Sequence, residues 1–97
     1  MYFDKIYQLQ YEVNIKYQYW RNVLTPAQCR AARALIGMSQ KELASMANVG
    51  AQTLADFERG ARVPRINNLN AMQTALEEAG VEFIPENGGG VGVRLRK

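Results

Sequence analysis

The chain has 97 residues, with 12 Lys and Arg against 9 Asp and Glu, a net charge of +3, one cysteine and no histidine. That length suits one compact domain with a small core, and a lone thiol without histidine excludes an internal disulfide, a Cys/His zinc site and a Cys/His dyad. No run of about eighteen apolar residues occurs, and Asp4 and Glu12 interrupt the opening segment, so neither a membrane span nor a signal peptide is expected and the expected location is cytoplasmic.

The first predicted element is YQLQYEVNIKYQY, residues 7–19, where Tyr7, Leu9, Tyr11, Val13, Ile15, Tyr17 and Tyr19 share one parity and the other parity is polar or charged. Alternation of this kind predicts a β-strand with one buried face. A helix would leave Tyr7, Tyr11, Ile15 and Tyr19 largely outside its apolar stripe. The polar parity is nearly neutral, which favours burial of the tyrosines over stacking on single-stranded nucleic acid.

At Leu24 the texture changes. Thr25-Pro26-Ala27-Gln28 combines a hydroxyl N-cap, a proline at the first helical position and a glutamine placed to close a capping box. The first helix then runs through CRAARALI to Gly37, a left-handed stop. Ser39 and Glu42 form a second capping box and predict a short helix from Gln40 to Met46 or Ala47. Asn48-Val49-Gly50 is a turn, Gly50 the next N-cap, and a third helix is expected from Ala51 to Arg59, ended by Gly60. After the basic loop Arg62 to Arg65, INNLNAMQTALEEAG predicts a fourth helix with Leu69, Met72, Leu76 and Ala79 on one face. Val81 to Pro85 and Val91 to Arg96 flank a glycine-rich loop and predict a hairpin. The expected fold class is therefore mainly α with added β: residues 1–23 as an N-terminal strand extension, 24–80 as a helical domain of four to five helices, and 81–97 as a C-terminal β-hairpin.

Two short helices joined by a tight turn, with Leu43, Ala44, Ala47, Val49, Leu54 and Phe57 as apolar positions, form a helix-turn-helix pattern. From Leu24 to Gly80, through SQKELA, the apolar turn residue Val49, the F-E-R-G end of the third helix and Pro64, the chain resembles the XRE, or Cro and phage-repressor, family. The resemblance implies a lambda-repressor-like DNA-binding domain. It implies that Gln40, at the start of the second helix, bonds a DNA phosphate, and helix N-termini are suited to anions. It also implies that the third helix enters the major groove with Ala51, Gln52 and Thr53 near base or phosphate edges and Asp56 one turn later. Gln52 is the best candidate for a base contact, because an amide bonds adenine N6 and N7 together; Ala51 suits a thymine methyl, and Asp56 is placed either to accept from cytosine N4 or to be solvated. Arg59, Arg62 and Arg65 are candidates for the sugar-phosphate backbone. Arg33 and Glu58 match a family pair that ties the first helix to the end of the third. Gly50 and Ala51 stand where family members commonly carry Ser and a long polar residue, so direct readout is thin and shape recognition is expected to contribute.

These residues point to a sequence-specific regulator of transcription, a repressor that binds a near-palindromic operator in double-stranded DNA as a homodimer through its terminal strands. The alternative is an antitoxin-like interaction module, whose strands bind a protein partner while the helix-turn-helix represses its own operon. Catalysis is not expected: there is no histidine, no nucleophile with a base beside it and no glycine-rich loop between strand and helix. No cofactor and no metal site are expected.

Overall fold

A computed structural model describes residues 24–96. The expected N-terminal strand lies outside the described residues. The order of elements is α1 (Pro26–Ile36), α2 (Gln40–Ala47), α3 (Ala51–Glu58), α4 (Ile66–Glu78), β1 (Val81–Ile84) and β2 (Gly92–Leu95). Among the described residues the protein is thus mostly helical, with one two-stranded antiparallel sheet.

The first two helices begin where side chains can satisfy their first N–H groups. Thr25 Oγ1 accepts from the Gln28 N–H at 3.0 Å while Gln28 Oε1 accepts from the Thr25 N–H at 3.1 Å. Ser39 and Glu42 do the same for α2, at 3.0 and 2.8 Å. The first two helices end on left-handed residues, Gly37 at φ 68° and Asn48 at φ 58°. Only residues that tolerate positive φ can reverse the chain in so few steps. The third helix stops one residue earlier than its pattern predicts: Arg59 is the C-cap at φ −93°, ψ 8°, its N–H on the Ala55 carbonyl at 3.2 Å, while the Gly60 N–H takes the Phe57 carbonyl at 2.9 Å.

The core is built from one stripe per helix. Leu24, Cys29, Ala32, Leu43, Ala44, Ala47, Leu54, Phe57, Leu69, Met72, Leu76 and Val81 are buried together. Each large apolar side chain among them contributes about 1.5–3 kcal/mol by leaving water. On α4 the buried stripe takes in Ala75, while Ala79, predicted on that face, is the half-buried C-cap. A residue at a helix end lies past the facing element, so periodicity overstates its burial.

The hairpin register pairs Val81 with Leu95, Glu82 with Arg94, Phe83 with Val93 and Ile84 with Gly92. Cross-strand partners share a face. Val81, Phe83 and Val93 therefore turn together towards the helical core, whereas Glu82 and Arg94 pair at 3.0 Å on the exposed face. The strands span 81–84 and 92–95, shorter than the predicted 81–85 and 91–96, because Pro85 lacks a ladder N–H and Val91 leaves the ladder with the loop. Gln28 Nε2 donates to the Gly92 carbonyl at 3.0 Å and pins the hairpin to the start of α1. No helix among the described residues is long and apolar enough to cross a membrane.

Candidate nucleic-acid interface

The α2–turn–α3 unit is set by a small residue and a left-handed turn. Ala44 is buried, and its carbonyl accepts from the Val49 N–H at 2.9 Å, closing the turn back onto α2. Val49 packs against the core, which draws Gly50 into the N-cap position of α3. No side chain caps α3. Among the described residues no side chain therefore takes the N–H groups of Ala51, Gln52 and Thr53, and the positive end of the helix dipole faces outward with them.

Helical geometry divides α3 into two faces. Leu54, Phe57 and Glu58 point inward, while Gln52, Asp56 and Arg59 follow one another along the outward stripe. Gln52 Nε2 donates to Asp56 Oδ1 at 2.9 Å, and Arg59 Nη2 donates to the same oxygen at 2.8 Å. The hydrogen bond from Gln52 first, then the bond and charge of Arg59 and the charge of Arg62, hold the Asp56 carboxyl below the usual aspartate range. Asp56 is thus neither isolated nor simply solvated; it joins two residues predicted to meet DNA. Ala51 is exposed and Thr53 half-buried beside this stripe. Arg62 and Arg65 lie exposed in the loop after α3, with Arg65 as the N-cap of α4. Neither forms an ion pair among the described residues.

Behind this face three helices meet on one carboxylate. Glu58 is 2 % exposed. Its Oε1 accepts from Arg33 Nη2 at 2.6 Å and from Gln40 Nε2 at 2.9 Å, and its Oε2 from Arg33 Nε at 2.7 Å and from Cys29 Sγ at 2.9 Å. Arg30 donates to the Glu58 carbonyl, and Arg33 Nη1 to the Met38 carbonyl at 3.0 Å. Burial pushes the Glu58 carboxyl up, but the hydrogen bonds from Arg33, Cys29 and Gln40 and the Arg33 charge outweigh it, so the net displacement is downward and the group stays ionised. The hydrogen bond to Glu58 raises Arg33 in turn. Burial above all, then the bond to Glu58, drives the Cys29 thiol far above the usual range. Such a thiol is a hydrogen-bond donor and not a nucleophile.

Gln40 therefore has two parts. One of its two side-chain N–H donors is on Glu58, whereas the backbone N–H groups of Gln40 and Lys41 precede the capped N–H of Glu42 and have no side-chain acceptor among the described residues. The residues that sequence reasoning left out of this cluster are Cys29 and Arg30. Cys29 and Arg33 are four apart on α1 and so share a face, a spacing that marks the thiol as a neighbour of whatever Arg33 binds.

Among known proteins, the helix-turn-helix family model matches residues 30–83, more than half of the chain. No curated protein matches the chain. The capped α2, the tight turn at Asn48 and the outward polar stripe of α3 all fall inside the matched span, and the chain belongs to the helix-turn-helix family of the XRE and Cro type, a family of DNA-binding regulatory domains.

Proposed function

We propose that the protein is a sequence-specific transcriptional regulator that represses by occupying a near-palindromic operator as a homodimer. The observation that carries this reading is the outward stripe of Gln52, Asp56 and Arg59 behind an uncapped α3 N-terminus. A helix presented this way suits the major groove: its N–H groups face phosphate and its polar side chains face base edges. Gln52 reads a base, Ala51 and Thr53 meet adjacent edges, and Arg59, Arg62 and Arg65 contact the backbone. The α2 N-terminus, with Gln40, holds a second phosphate.

In this reading residues 24–80 bind DNA, residues 1–23 form the dimerising strand and residues 81–97 offer a sheet edge for it. A two-fold dimer sets two recognition helices about 34 Å apart, one turn of DNA. Selection of binding sites from a pool of random duplexes tests all of this together. A recovered palindrome supports operator binding by a dimer; a single unrepeated site removes the dimer, and no enriched sequence removes the reading. The antitoxin-like alternative is favoured instead if a single endogenous protein co-purifies in fixed ratio through the terminal strands.

A further inference from the structure

We propose that Asp56 is a positioning residue that fixes the orientation of the Gln52 amide and thereby makes α3 prefer adenine over guanine at one operator position. The inference rests on the reading of α3 as a recognition helix and assigns Asp56 a role other than direct base contact.

An unrestrained glutamine can present its amide either way round, oxygen or nitrogen foremost. An ionised carboxylate has no proton to donate, so it can hold only the nitrogen end. Asp56 Oδ1 accepts from Gln52 Nε2 at 2.9 Å, which fixes the amide and leaves Oε1 and the second N–H of Nε2 for a partner. One acceptor beside one donor complements adenine, whose N6 donates and whose N7 accepts. Guanine presents two acceptors, N7 and O6, and would need both protons of Nε2. One of these is already on Asp56, so guanine finds a single donor and an oxygen facing an oxygen.

Asp56 is itself recessed. Its side chain is 17 % exposed against 66 % for Arg59, which donates to the same Oδ1 from one turn later. Gln52 and Arg59 both donate to its Oδ1 from longer side chains, which suits Asp56 to a supporting role more than to direct base contact. The charge of Arg59, and that of Arg62 nearby, also offset the repulsion that a lone acid meets among phosphates. Asp56 can therefore remain ionised in the groove, as the orientation of Gln52 requires.

The test uses the full chain as wild type, Asp56→Ala, Asp56→Glu, Gln52→Ala and the Asp56→Ala/Gln52→Ala double variant. The probe is the duplex recovered from a pool randomised over about two helical turns, remade with each base pair at the position that Gln52→Ala relaxes. The reading is the affinity ratio for adenine over guanine at that position. Asp56→Ala should lower the ratio about tenfold, Asp56→Glu should keep part of it, and in the Gln52→Ala background Asp56→Ala should leave it unchanged. A merely structural role would lower affinity for every duplex alike and leave the ratio intact. A wild-type preference that survives Asp56→Ala, or an equal effect of Asp56→Ala with Gln52 absent, overturns the proposal alone. A wild-type protein with no preference at any position overturns the operator reading and this proposal with it.

Discussion

Arg33→Ala removes two of the four hydrogen bonds that reach the Glu58 carboxylate, those from Nε at 2.7 Å and Nη2 at 2.6 Å. Cys29 and Gln40 remain, but neither carries charge, and Glu58 is left 2 % exposed without its counter-ion. Breaking a buried ion pair on one side costs about 3–5 kcal/mol. The Arg33 side chain is 18 % exposed, so water relieves part of this and a loss of about 3 kcal/mol is expected. In a domain of this size that lowers the midpoint of thermal unfolding by about 15 °C. Thermal and urea unfolding of Arg33→Ala, Glu58→Ala and the double variant supplies a double-mutant cycle. The coupling should exceed about 1.5 kcal/mol, each single change costing more than half of the double. The pH dependence gives a second measure. The folded Glu58 carboxyl lies below its ordinary value, so its contribution is complete above the usual glutamate range of about 4.3 and disappears as the pH falls through the lower folded value. Arg33→Ala, which removes the strongest downward influence, should begin acid unfolding at higher pH than wild type. Additive single costs together with an unmoved acid transition would refute the cluster as a coupled unit.

Gln52→Ala should lose about 1–3 kcal/mol at the selected operator with little change on random duplex; equal losses on both would remove Gln52 from base readout. Gln40→Ala should weaken all duplexes alike and, because it also takes a donor from Glu58, lower stability by about 1 kcal/mol, which unfolding measured without DNA would detect. Cys29, fully buried and bonded to Glu58, should resist thiol-labelling reagents in the native protein and react as urea unfolds it, so rapid native labelling would contradict its placement. Deleting residues 1–22 should leave the helical domain folded and shift it towards monomer with weaker operator binding; sedimentation at matched concentration decides this, and an unchanged dimer would contradict the assignment of the dimer to the terminal strand.

Much of the architecture was legible because it is local. A capping box joins residues three apart, so Thr25 with Gln28 and Ser39 with Glu42 locate the starts of α1 and α2 from spacing alone. Gly37 and Asn48 mark the stops because positive φ is a property of the single residue. Alternation of Val91, Val93 and Leu95 predicts a hairpin face without naming the surface it covers. The same limit applies to the alternating sequence of residues 7–19, a pattern that names no partner surface.

The tertiary structure decided where the polar groups go. Cys29, Arg33 and Gln40 reach Glu58 across 29, 25 and 18 residues, and Gln28 reaches Gly92 across 64. None of these partners follows from periodicity, since a helix wheel gives the direction in which a side chain leaves its own axis but not what another helix places there. Helix ends shifted for the same reason: Arg59 became a cap and Ala79 left the core because facing elements, and not the pattern, set the extent of burial. The chain thus determined its helices and turns by itself, through hydrogen bonds closed within one turn of backbone, whereas the Glu58 cluster and the seat of the hairpin arose only when packing brought distant donors to one acceptor.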